Sequence, residues 1–385
     1  MVDVEQSPTR ERRTSFVVLL LGAGTLIGLH ATNLLPWLLE GSVLSLLLGL
    51  AGLGGVILLL ALQVVHYADA LAIRLGEPFG TLILTGSAVV VELALIASTM
   101  GSGEANPTLA RDSMFAVLMI ALTGIKGISV FEAAREQEKT LREPLQDSDL
   151  AAMNIGGSIT YVNLITTISV LALIVPNFTT QTTEANFNGP GNVVLIGAAL
   201  GLFSVFIAFQ TGSYRGLFTE SREQRQWLGA ADGGHEGIPE VAPAVAWLAA
   251  GLLILVINAE SMGELIEASL NGLGLRSAIG GTLVGLLVLA PEALNALRAA
   301  SRGQVQRSLN TLYGSVLSTL CLTVPAVLLI GELTGTKVIL GLDPLEMVLL
   351  GLTLLLIRPT LGKFTQLDGL MLLVVFVFWI ALQVI

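Results

Sequence analysis

Cysteine is almost absent from this chain. The one present, Cys321, lies in an apolar run, so no intramolecular disulfide and no cysteine-based metal site can form. Redox chemistry is therefore not expected. Charge is nearly as scarce: 19 Lys and Arg and 29 Asp and Glu make up 12% of the 385 residues, against 53% hydrophobic residues. With a mean hydropathy of +0.80, that balance excludes an ordinary soluble enzyme and fits a polytopic membrane protein. The net charge of -10 argues against a nucleic-acid partner. The apolar stretches hold no His-Glu-x-x-His sequence and no Ser/His pairing, so nothing points to an intramembrane enzyme. No resident cofactor is expected; the expected partners are membrane lipid, inorganic cations and protons, and oligomeric state is left open.

What is present in abundance is long apolar runs. Stretches of about 17–25 residues suit a bilayer, and they predict helices at 16–38, 42–65, 79–100, 113–130, 156–176, 191–210, 243–259, 277–299, 308–331, 343–358 and 366–384. Arg10, Arg12 and Arg13 precede the first of these. It is too long for a signal-peptide core and lacks a small-residue cleavage site, so it reads as a span. Cytoplasmic loops collect Lys and Arg. With the N-terminus inside and eleven spans, only Arg111, Arg276 and Lys337 of the 19 basic residues fall outside. The C-terminus is then outside.

Two of these stretches carry a glutamate well inside them, Glu92 and Glu292, 200 positions apart. A carboxylate at membrane depth is costly and marks a candidate ion or proton pathway. At the same offset Phe79-Gly80 meets Ile279-Gly280, and the following helices begin near Ser113 and Tyr313. An odd number of intervening spans makes the two glutamate helices run in opposite directions, as in inverted-repeat transporters with midplane sites. The predicted fold is an all-α polytopic membrane protein of about eleven helices: a tail and leading helix (1–41), a five-helix repeat (42–210), an acidic cytoplasmic linker (211–242) and a second five-helix repeat (243–385).

Gly86 loosens the first glutamate segment and Pro291 removes a backbone donor from the second, so both are expected to be kinked or broken, with carbonyls freed for cations. Glu92 and Glu292 are the candidate ligands for metal and proton alike. Calcium takes six to eight oxygens, which carboxylates, carbonyls, hydroxyls and water can supply. Metal and protons then neutralise one site by turns, which is what an exchanger requires. The other reading of each glutamate is a protonated carboxyl hydrogen-bonded between helices. Candidate secondary ligands are Asn295 and Thr99, three and seven residues after the glutamates, and Ser315, Ser318 and Thr319 on the next helix. Such hydroxyls also serve helix packing. Outside the predicted spans, His66, Asp69 and Glu77 form a polar patch at the cytoplasmic mouth of the third helix, read either as gate or vestibule residues or as interfacial anchors. The linker, with Glu220, Glu223, Asp232, Glu236 and Glu240, reads as a solvated connector or a cation-sensing strip.

Several segments together resemble the calcium/cation antiporter (CaCA) superfamily, and within it the bacterial ChaA-type cation/proton antiporters. They are His66 to Leu84, Val91-Glu92-Leu93, Pro107 to Asp112, Pro291-Glu292-Ala293-Leu294, and Gln304 to Arg307 through Gly314-Ser315-Val316-Leu317 to Pro325. The resemblance covers nearly the whole chain. It implies ten core helices in two inverted halves plus a leading helix, with paired glutamates on helices 3 and 8 binding cation and proton alternately in the inner membrane. The chain departs from the pattern at Ser113 to Met119, which lack the usual Gly-Ser and Ser-Asn, and at Val89 and Leu289, where sodium/calcium exchangers have serine. Fewer side-chain oxygens leave calcium, sodium and potassium all open as cargo. A Na+(K+)/H+ antiporter without calcium transport is the alternative. A cation channel is a remoter one, disfavoured by an inverted repeat within one chain.

Overall fold

A computed structural model describes residues 8–75, 79–101, 107–140, 151–152, 154–179, 184–212, 214–218, 241–358 and 363–384. Nearly all of these are helical. The exception in regular structure is a two-residue antiparallel pair, β1 (Ala151–Ala152) with β2 (Lys363–Phe364). Among the described residues nine helices are long and apolar enough to cross a membrane, and the shorter apolar segments Thr85–Ser98 and Pro344–Leu356 complete the expected eleven.

The chain opens with α1 (Pro8–Ala31) and a six-residue α2 (Leu34–Leu39). The expected first span at 16–38 is thus two helices. Asn33, between them, adopts a left-handed backbone with φ 54 that ends the first. Then come α3 (Val43–Leu75) and α4 (Phe79–Gly101), followed by α5 (Leu109–Met119), a π-helical turn at Ile120–Ile125, and α6 (Lys126–Thr140). Next are α7 (Ile155–Ser169), which passes through a second π turn at Val170–Ile174, and α8 (Gly189–Thr211). The second half supplies α9 (Val241–Leu273), α10 (Ser277–Ser301), α11 (Val305–Ser318), a third π turn at Thr319–Thr323 and α12 (Val324–Thr334), with α13 (Pro344–Leu356) and α14 (Gln366–Val384) after it.

Two helices overrun their predicted ends. Both α3 and α9 are 33 residues long, whereas the sequence reading stopped them at 65 and 259. His66, Asp69 and Arg74, and likewise Glu260, Glu264 and Glu267, lie beyond those ends. At spacings of three and four, polar residues give a helix a polar stripe without ending it. The patch at His66 and Asp69 therefore belongs to α3 itself.

By packing, the chain forms two compact units, and each draws on both sequence halves: Met1–Asn106 with Asp232–Arg276, and Pro107–Ala231 with Ser277–Ile385. In the first, α3 packs on α9, with α4 and α1 against both. Leu46 lies by Gly272, Gly49 by Leu265 and Val64 by Gly251, so α3 and α9 run antiparallel. Between these contacts lie the fully buried Ile57, Leu60 and Leu255. Antiparallel packing of the opening long helix of each half is what an inverted repeat requires. Asn258 fastens α1 to this pair: its amide donates to the Gly22 carbonyl at 3.2 Å and accepts from the Thr25 hydroxyl at 3.0 Å.

The second unit is built around α5, all eleven residues of which are buried. Gly281 and Gly285 of α10, four apart, bring the helix backbone against Asp112–Ser113 and Ala116–Val117 of α5. This small-xxx-small contact lets helices approach where lipid offers no hydrophobic drive. A Cβ at Gly281 would sit 2.7 Å from the Asp112 backbone, whereas one at Gly351 would meet nothing within 4 Å. Gly281→Ala is accordingly expected to lose about 1–3 kcal/mol and Gly351→Ala to lose none, measured by denaturant unfolding in detergent. Opposite α10, α14 packs antiparallel on α6, with Gly124 by Phe376 and Gly127 by Leu373.

Candidate functional site

Each of the two glutamates sits in one compact unit, near the middle of its helix. In the first unit Glu92 of α4 is 3% exposed. Its helix packs on α3 and α9. Asp69, half-buried, and His66, exposed and edge-on to Tyr67 at 5.2 Å, lie on α3. Thr99 is in α4; its side chain and the whole of Glu77 lie outside the described residues, as do 219–240 of the linker.

In the second unit Glu292 of α10 is half-buried and directly follows the helix-internal Pro291. Neither glutamate helix is broken: α4 and α10 run unbroken through Gly86 and Pro291. The disruption falls one helix later in each repeat, at the π turns Ile120–Ile125 and Thr319–Thr323, which are 199 positions apart at their starts. A π turn shifts the hydrogen-bond pattern by one residue and is frequent at functional sites. No local composition cue marks it, which is why the sequence reading assigned the irregularity to glycine and proline.

Register places Glu292 relative to these turns. Helices α10 and α5 run parallel, Gly281 level with Asp112 and Gly285 with Ala116. Glu292 shares their face, three turns on, and so comes level with the π turn around Thr123. On its other side α11 returns from the bend at Arg302–Gly303 as a packed neighbour. Counting back from that bend sets Gly314-Ser315 at the depth of Glu292. Asn295 and Ser315 are half-buried; Ser318 is buried, its hydroxyl donating to the Ser315 carbonyl at 2.8 Å; Thr319, also buried, opens the π turn. Glu292, Asn295 and these hydroxyls are thus gathered on adjacent helices. Among the described residues no three His, Cys, Asp or Glu side chains cluster as a metal site, so a cation here would need hydroxyl, carbonyl or water oxygens beside a carboxylate.

Two cations of the second unit are buried. Lys126, at the end of the first π turn, is 0% exposed. Its ammonium donates to the Ile357 carbonyl at the C-terminus of α13, 2.9 Å away, and lies over the rings of Tyr313 and Phe364 at 5.2 and 5.4 Å. A helix C-terminus favours a positive charge. Arg111, expected in an outer loop, is in α5 and ion-paired to Asp112 at 2.8 Å. Arg111 is carried inside by the burial of α5, and Lys126 by that of the turn that follows it. Replacing Lys126 with Ala removes a charge-assisted hydrogen bond and two ring contacts. It is expected to lose about 1.5–3 kcal/mol in unfolding measurements, with Lys126→Arg losing less.

Comparison with known proteins agrees with this architecture. A family model for sodium/calcium exchanger proteins matches residues 43–214 and 243–385. The chain is 31% identical over 370 residues to the sodium-potassium/proton antiporter ChaA of Escherichia coli (strain K12), covering 95% of this chain and 94% of that one. It is 23% identical over 323 residues to a Ca(2+)/H(+) antiporter of Synechocystis sp. (strain ATCC 27184 / PCC 6803 / Kazusa), covering 79% and 82%. Among solved structures, the H+/Ca2+ exchanger CAX matches with a TM-score of 0.68 at 16% identity, over 97% of this chain and 89% of that one. Native YfkE matches at 0.63 and 17%, over 91% and 99%. At those identities the two structures support the fold.

Proposed function

The chain belongs to the sodium/calcium exchanger protein family, and on that premise we propose that it exchanges Ca2+ or Na+ for H+ by alternating access at one site shared by Glu92 and Glu292. The carrying observation is the burial of a carboxylate, Glu92, 3% exposed inside a membrane helix, with a second, Glu292, at the matching place of the duplicated half. Each is costly there unless it is neutralised by a proton or a cation.

Exchange follows from that neutralisation. Open to one side, the carboxylates bind a cation with help from Asn295, Ser315, Ser318 or Thr319, and carbonyls at the π turns complete the oxygen shell. Arrival of the cation expels the protons. Only the neutralised site moves across the low-dielectric interior, so the return passage requires protons. His66 and Asp69 line the approach on the cytoplasmic side. The protein lies in the bacterial inner membrane, N-terminus cytoplasmic and C-terminus outside, with the 211–242 linker joining repeats 42–210 and 243–385.

A second reading is a Na+(K+)/H+ antiporter that does not carry calcium. The name of the Escherichia coli relative favours it, as do Val89 and Leu289, which add no oxygen beside the glutamates. Inside-out vesicles with an imposed proton gradient and a pH-sensitive dye test both. Calcium, sodium and potassium are titrated separately; dissipation by calcium supports the first reading, and dissipation by the monovalent ions alone supports the second. Cation flux that needs no proton counter-flow contradicts both and points to a channel.

A further inference from the structure

Several polar side chains in the membrane helices find a partner close at hand, while some buried hydroxyls, those of Ser113, Ser129 and Tyr313 among them, find none among the described residues. Ser87 donates to the Ile83 carbonyl at 2.7 Å, Thr123 to that of Met119, and Asn258 to those of Ile254 and Gly22. Gln63 does not. It lies in α3, 7% exposed, and neither its amide oxygen nor its nitrogen has a hydrogen-bond partner among the described residues. Buried polar groups are nearly always hydrogen-bonded, and an orphaned one lowers stability by about 1–3 kcal/mol. A glutamine kept at that cost calls for a task.

Its position suggests one. Helices α3 and α4 pack on each other and are joined across residues 76–78. Gln63 lies about 18 Å before the end of α3 and Glu92 about 20 Å after the start of α4, at 1.5 Å per residue. The two are at the same depth within the first unit. Gln63 is also the one described residue with two buried side-chain atoms left unpartnered.

We propose that Gln63 belongs to the ion path, its amide oxygen contacting the dehydrated alkali or alkaline-earth cation at the depth of Glu92. The assignment rests on the exchange reading and deepens it. A carbonyl oxygen is a hard ligand for such cations. The same oxygen accepts from the O–H of a protonated carboxyl, so it serves the metal-loaded and the proton-loaded forms alike. Being neutral, it leaves the charge balance to the glutamates.

The test uses full-length protein reconstituted in vesicles, with cation-dependent proton flux and thermal unfolding measured on the same samples. Gln63→Leu removes the polar atoms at similar volume. The expected result is an apparent KM for the cation raised about tenfold, the loss of one hydrogen-bond-strength contact to a charge, with a melting temperature equal to or above wild type. An unchanged KM in Gln63→Leu, with wild-type exchange present, overturns the assignment alone. A Gln63→Leu protein that melts earlier, whatever its KM, makes the amide structural and also overturns it. Absence of cation-dependent proton flux in wild type instead overturns the exchange reading beneath it.

Discussion

Glu92→Gln and Glu292→Gln are each expected to abolish cation-driven proton movement while leaving a folded, membrane-inserted protein. Glutamine keeps the shape and the hydrogen-bonding capacity of the neutral acid but can neither lose a proton nor offer a charge to a metal. In the proposed cycle each carboxylate must do both, so neither variant should retain more than about 1% of wild-type exchange, an effect of roughly 3 kcal/mol or more. Dye-reported proton flux in vesicles, with expression and unfolding as controls, measures it. The two variants should fail alike, because a site built from both halves is lost when either is neutral. Full exchange in either one removes that residue from the site. Folding should survive because a buried carboxylate is itself unfavourable unless neutralised, and the amide relieves that burden.

The largest effect on stability is expected from Arg111→Ala. The guanidinium is held on three sides: Asp112 Oδ1 at 2.8 Å, the Gly341 carbonyl at 2.9 Å and Asp343 Oδ1 at 3.5 Å. Asp343 is the N-cap of α13, where Glu346 completes a capping box by accepting from the Asp343 backbone at 3.2 Å. Arg111 therefore ties α5 to the start of α13, and the neighbouring Ile339 to Pro107 backbone bond, 2.8 Å, reinforces the tie. Removing the guanidinium strips the Asp112 side chain, 2% exposed, of its ion pair. Breaking a buried pair in this way costs about 3–5 kcal/mol. Arg111→Ala should unfold at markedly lower denaturant, and the double change Arg111→Ala with Asp112→Asn should recover part of the loss. A single variant as stable as wild type would show that the pair carries no net weight.

Much of this architecture is legible in the sequence because lipid imposes so strict a length on apolar runs. All eleven expected stretches fall on helices or apolar helical segments. What escaped has two physical causes. Hydropathy reads lipid contact, so it ended α3 before His66 and α9 before Glu260, although a helix continues wherever its polar residues share a stripe. Burial inside a bundle also leaves no hydropathy signal: Arg111 and Lys126 look like flanking cations in sequence, yet α5 and the turn after it are enclosed by their neighbours. The π turns are set by i→i−5 bonding under packing, and nothing in Ile120–Ile125 or Thr319–Thr323 announces them. Glu292 and Asn295, by contrast, are legible as candidates, because a charge inside an apolar run and a spacing of three put them on one face of one helix.

The most direct measurement of the central idea is proton release on cation binding to purified protein in weakly buffered detergent solution, followed with a pH indicator as calcium or sodium is added. If one pair of carboxylates serves both ions, wild type should release protons in proportion to cation bound, and Glu92→Gln and Glu292→Gln should release none. Saturable cation binding to wild type with no proton released would contradict the account, since metal and proton would then occupy separate places.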